Sequence, residues 1–114
     1  EQVHGITISV MDQLAYLLHA LDAVPEGEGT LLDHCLVLGS SDVSEGKTHS
    51  LDEYPILLAG GACGAFQTDL HYRSYSQENA SKVLLSLLRG FGVGAASYGE
   101  GEAFSADGLS AIEV

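Results

Sequence analysis

Residues Leu31-Leu32-Asp33-His34-Cys35-Leu36-Val37-Leu38-Gly39-Ser40-Ser41-Asp42 decide how this chain reads. Cys35 to Gly39 is a short, continuous apolar run closed by a glycine, the pattern of a strand covered on both faces. Such strands belong mostly to parallel sheets flanked by helices. The run ends in Ser-Asp and a polar loop, which sets the Asp42 carboxylate at the C-terminal edge of a strand. Open α/β sheets build their sites at that edge.

Downstream, the polar stretch 40–53 gives way to Pro55-Ile56-Leu57-Leu58-Ala59-Gly60, which repeats the pattern and predicts a second buried strand. Upstream, Ile8, Met11, Leu14, Ala15, Leu18 and Leu21 recur at three- and four-residue steps and predict a helix over 8–24. Leu17 and Tyr16 widen its apolar face, so it is expected to be a core helix packed on the sheet. Pro25 and the Gly27 to Gly29 stretch end it, and 25–30 reads as a loop.

A second helix is predicted over 78–88, with Ala80, Val83, Leu84, Leu87, Leu88 and Phe91 on its apolar face. Ser74 or Ser76 is expected to cap it and Gly90 or Gly92 to end it. Lys82 and Arg89 are expected toward the favourable end of its dipole. Residues 66–74 are mixed, and the tail 94–114 reads as irregular and partly mobile. The fold class expected is α/β, a small sheet of buried strands flanked by helices.

At 114 residues the chain is expected to be a single domain, 1–114, with an ordinary hydrophobic share of 46% that argues against wholesale disorder. Four Lys and Arg against 16 Asp and Glu give a formal charge of -12, which repels nucleic acid and anionic lipid and otherwise reads as a solvated surface. No apolar run reaches the ~18 residues of a membrane span. Cys35 and Cys63 are outside any CxxC spacing and read as structural, with a disulfide between two neighbouring strands as the alternative. A sheet of two or three strands leaves its edges open. A homo-oligomer, or a missing N-terminal region of a longer parent, is therefore expected.

The stretch from Thr30 to Gly46, followed by His49, resembles the segment of the alkaline-phosphatase and sulfatase superfamily in which a buried strand runs into an Asp- and His-containing metal loop. The resemblance implies Asp42 as a metal ligand and His49 as the downstream imidazole, both suitable for a divalent metal such as zinc. Val43 stands where the superfamily has its second ligand and cannot coordinate. A closer resemblance covers nearly the whole chain. Gln13 to Leu18, Pro25 to Asp33, Ser41 to Ser50, Tyr54 to Gly61 and His71 to Ser74 are similar in order and spacing to the bacterial family named for an HXXSHH motif, longer exported proteins without an assigned function. It implies the C-terminal portion of an alkaline-phosphatase-like fold and a periplasmic or extracellular address. The histidines expected after Thr7 and the region that would supply a nucleophile are absent from this sequence.

Plainer readings stand beside these. Asp42 is equally a turn residue whose side chain caps the backbone, and His49 a loop residue bonded locally. His19 reads as an exposed helix position, His34 as a turn residue, and His71, Tyr72 and Arg73 as a small polar cluster or as packing. Gly60 to Gly64 lacks the Lys-Ser or Lys-Thr of a phosphate loop and reads as a tight turn. No Gly-x-Ser-x-Gly elbow surrounds Ser40, Ser41 or Ser44. The function expected is that of a metallohydrolase lobe, inactive alone, or else of a non-catalytic binding or self-assembly module. Catalytic residues and cofactors beyond a divalent metal are not assigned.

Overall fold

The computed structural model describes residues 2–114. The chain is a small α/β fold of helices and two small antiparallel sheets. Helix α1 spans Gln2–Asp22, the two-residue strands β1 (Pro25–Glu26) and β2 (Gly29–Thr30) form a minimal hairpin, and α2 (Leu31–His34) is a single turn. Strands β3 (Val37–Ser40) and β4 (Ile56–Ala59) make the second sheet, and α3 spans Ser81–Gly90.

The helix predicted over 8–24 starts six residues earlier. Nothing in Val3-His4-Gly5-Ile6-Thr7 breaks it, and the Thr7 hydroxyl donates to the Val3 carbonyl at 3.1 Å. It is not the core helix expected. None of its residues is buried, and only Leu14, Leu18 and Leu21 are half-covered. Ile6, Val10 and Tyr16 keep 65%, 60% and 74% of their surface exposed. A helix packed on a sheet would hide such a stripe.

Both predicted strands form, but they pair antiparallel, Val37 opposite Ala59 and Ser40 opposite Ile56. The parallel, doubly covered arrangement is thereby corrected. Burial alternates, with Val37, Gly39, Ile56 and Leu58 half-covered and Leu38 and Leu57 exposed. Directly opposed residues share a face, so the exposed Leu38 lies on the face of Ile56 and Leu58 and the exposed Leu57 on that of Val37 and Gly39. Each face is covered only in part, whereas the continuous apolar runs would suit a sheet covered on both sides.

The core gathers downstream. Ala62, Phe66, Val83, Leu109 and Ile112 form its buried cluster, and Leu85 on α3 is fully enclosed. The expected apolar face of α3 is shifted, because Leu85 and the polar Ser81 and Ser86 are buried while Phe91 is 55% exposed. Ser74 does not cap the helix itself. Its hydroxyl accepts the Glu78 N–H at 2.8 Å, one turn before, and the Asn79 side chain accepts the Ser81 N–H at 2.9 Å. Because α3 begins at Ser81, Lys82 lies in its first turn, the unfavourable end of the dipole, and pairs instead with Glu78 at 3.1 Å.

Gly92 ends α3, as one of the two glycines foreseen. With φ at 76°, it lets its own N–H reach the Arg89 carbonyl at 2.9 Å and the Val93 N–H reach Leu88 at 2.9 Å, a Schellman stop. The tail beyond residue 94 is irregular but anchored. Tyr98 bridges Ser105, Phe66 bridges Glu113, and Leu109 and Ile112 enter the core. Arg89 holds the turn by donating to the Ala95, Ala96 and Ala106 carbonyls.

The molecule is a slab of 44 × 43 × 21 Å with a radius of gyration of 15.6 Å, against about 13 Å for a compact chain of this length. Its accessible surface is 8227 Å², where a compact monomer of this mass exposes about 6,000 Å². Among the described residues no helix is long and apolar enough to cross a membrane.

Candidate functional site

The β3–β4 connection positions Asp42. Strand β3 ends at Ser40, whose hydroxyl donates to the Pro55 carbonyl at 2.8 Å and ties the strand end to the start of β4. The Tyr54 hydroxyl donates to the Ser41 carbonyl. Asp42 follows at once, so its carboxylate does stand just past the C-terminal end of a strand. It is exposed, and the Ser41 hydroxyl donates to it at 3.3 Å. The capping role falls to Ser41, whose oxygen accepts the Val43 N–H at 3.4 Å.

His49 belongs to the next turn of the same loop. The Ser44 N–H and hydroxyl both donate to the Ser50 carbonyl, at 2.8 and 2.7 Å, and Thr48 donates to Glu45 at 2.6 Å. That closure leaves His49 exposed, with a left-handed φ of 55°. Among the described residues no three His, Cys, Asp or Glu side chains are grouped to hold a metal. Asp42 and His49 would supply at most two donors, where zinc takes three or four protein ligands. These residues do not by themselves fit the metal that the resemblance implies.

Beside Asp42 the chain forms an open groove of about 2110 Å³. One wall is α1, through Ile6, Val10, Met11 and Leu14, and β3 and β4 contribute Gly39 and Leu57 among others. The opposite wall is the segment 66–75. Asp42 borders this groove, and His49 is not among its lining residues. Sites for small molecules occupy about 300–1,000 Å³. A space this large and open suits a polypeptide element better than a metabolite.

The polar cluster expected of His71, Tyr72 and Arg73 is divided among different partners. Arg73 pairs with Glu53 and lies over the exposed Tyr75 ring at 5.8 Å. The Tyr72 hydroxyl donates to Glu78, which also accepts from Lys82. The hydrogen bond to this carboxylate, more than desolvation, holds the Tyr72 proton and raises its pKa. The same bond, with that of Lys82, lowers the pKa of Glu78. This chain was not foreseen, although the four-residue spacing of Glu78 and Lys82 is a legible signal of it.

His34 is the last residue of α2 rather than a turn residue. Its Nδ1 is 2.9 Å from the Thr30 carbonyl and 3.4 Å from Glu26. His19 is exposed on α1, as expected. The Gly60 to Gly64 segment is a tight turn whose closing 3-10 turn spans Ala62–Gly64.

No protein-family model, curated protein or solved structure matches the chain.

Proposed function

We propose that this chain is a lobe of a larger protein of the alkaline-phosphatase and sulfatase type, its C-terminal part, and has no hydrolytic activity by itself. The observation that carries this reading is the uncovered apolar side of α1, which faces a groove bordered by Asp42. The excess surface of the slab is of the size that a further layer of polypeptide would cover. Asp42 follows the end of β3 and lines the groove, and the ligand role it is given rests on the resemblance to the alkaline-phosphatase and sulfatase superfamily. Its role is that of one ligand in a divalent-metal site that is completed only when the groove is filled. His49, exposed on the next turn of the loop, is the second donor the same resemblance implies. A periplasmic or extracellular address goes with the same resemblance.

The test is a thermal-shift series with zinc, manganese and calcium on the chain and on Asp42→Ala, repeated on any longer polypeptide that contains it. Stabilisation of the longer polypeptide that is lost in Asp42→Ala supports the reading. Equal response of both chains, or hydrolysis of a generic phosphate or sulfate ester by the 114-residue chain, refutes it.

A second reading, a self-assembly module, rests on one feature. Residues 2–11 of α1 carry no Asp, Glu, Lys or Arg, so two copies of that half-helix meet without charge repulsion. Sedimentation velocity across a hundredfold concentration range separates the readings. A concentration-dependent dimer that dissolves in Val10→Asp favours self-assembly, and a monomer throughout favours the lobe.

A further inference from the structure

The two cysteines meet at one junction of the fold. Cys35 joins α2 to β3, and Cys63 is in the turn after β4. The junctions are laced together by backbone hydrogen bonds, since the Gly61 N–H donates to the Leu32 carbonyl and the Ala62 N–H to the Cys35 carbonyl, both at 3.0 Å. Each sulfur lies against the same short segment. Cys35 Sγ is 3.9 Å from the Leu32 oxygen, and Cys63 Sγ is 4.0 Å from the His34 oxygen. Those carbonyls are two residues apart on a helix that rises about 1.5 Å per residue. The His34 oxygen is itself about 3 Å from the Cys35 Cα across their shared peptide, so Cys63 Sγ lies within about 7 Å of that Cα. A disulfide needs the two Cα atoms about 4.4–6.8 Å apart, so closing it asks both side chains to turn from these carbonyls and the turn that carries Cys63 to move toward Cys35.

The turn that carries Cys63 is held in an unusual shape. Ala62 and Cys63 have φ of 42° and 57°, left-handed values that L-residues adopt only where the surroundings enforce them. Gly60, at φ 111°, passes so close to α2 that an added Cβ would meet the Leu32 oxygen at 2.9 Å. The close approach is thus built into the backbone. Both thiols are free here, with Cys63 exposed and Cys35 half-covered.

We propose that Cys35 and Cys63 form a disulfide that clasps the α2–β3 junction to the turn after β4. With a glutathione disulfide as oxidant, the exposed Cys63 thiolate attacks one of its sulfurs, and one glutathione thiol leaves. The Cys35 thiolate then attacks the Cys63 sulfur of the mixed disulfide and expels the second. Two electrons pass from the cysteine pair to the glutathione disulfide, and the two protons leave on the released thiols.

The experiment treats the chain with glutathione disulfide, then quenches, digests and maps it by mass spectrometry, alongside thiol titration in denaturant. The expected result is a monomer with no titratable thiol and one cross-link between the peptides containing Cys35 and Cys63. Its unfolding midpoint should rise by roughly 10 °C over the reduced chain. Cys63→Ser should leave one titratable thiol and remove the rise. Two persistent thiols, two glutathione adducts on one chain, or cross-linked dimers overturn the proposal. The mapping uses the unsubstituted chain, so it decides even if the variant fails to fold.

Discussion

The Ser86 hydroxyl donates to the Glu113 carboxylate at 2.5 Å while its oxygen accepts the Leu109 N–H at 2.8 Å, so one enclosed side chain on α3 fastens two points of the C-terminal tail. Ser86 is only 1% exposed and Leu109 only 7%, so the Leu109 amide has no water at hand to replace the hydroxyl, while Glu113 is half-covered. Ser86→Ala leaves an amide and a carboxylate without their partner, at a cost of about 1–3 kcal/mol. Urea unfolding of the variant measures the loss, and a change below about 0.5 kcal/mol would mean that the tail does not depend on this link.

Gly108 lines the same junction. A Cβ there would meet the Ser86 oxygen at 2.6 Å and crowd Glu113. Gly108→Ala is therefore expected to destabilise by about 1–3 kcal/mol through overpacking. In a double-mutant cycle with Ser86→Ala the two costs should fall short of additive, because both act on one contact. Strict additivity counts against it.

Leu85 and Ile8 give opposite forecasts from similar side chains. Leu85 has no exposed surface, so Leu85→Ala should cost about 2–5 kcal/mol. Ile8 is 48% exposed on α1, and Ile8→Ala should change stability by less than about 0.5 kcal/mol. A large loss at Ile8 would show α1 packed in solution in a way this structure lacks.

Asp33 and Glu78 make stability depend on acidity. The Thr30 N–H, 2.7 Å from the Asp33 carboxylate, and the Thr30 hydroxyl hold its pKa below the ordinary 3.8, and Glu78 is held below 4.5 by Tyr72 and Lys82. A depressed carboxylate favours the folded state above its ordinary value and loses that contribution as pH falls through the folded one. Thermal midpoints should thus be level above about pH 5 and fall with acidification, and the double variant Asp33→Asn, Glu78→Gln should flatten part of that slope. Tyr72 acts at the other end. Its raised pKa contributes below the ordinary 10.0 and is lost as pH rises through the folded value.

The periodic segments were legible. The 3.6-residue spacing around Leu14 and Leu18 and around Val83 and Leu87 located both long helices, and the apolar runs at Val37 and Ile56 located the strands. What misled was the inference from pattern to cover. Leu38 and Leu57 belong to runs suited to burial on both faces, yet each stands exposed on its own side of the sheet, so the sequence describes more neighbours than the structure contains. The antiparallel pairing was hidden because a long polar loop from Ser41 to Tyr54 serves a hairpin as well as a crossover. Asp42 was located correctly at a strand end from Ser-Asp after an apolar run. That His49 does not line the groove was not legible, since its turn is set by the closure of Ser44 on Ser50, a backbone event without a sequence signature.

Asp42 is exposed at the margin of an open groove, in reach of the solvent dielectric. A charge developing beside Asp42 would be screened nearly as in bulk water, where unit charges 4 Å apart feel only about 1 kcal/mol. Preorganised dipoles accelerate chemistry in dry surroundings, and Asp42 would gain such surroundings only from a body that closed over the groove.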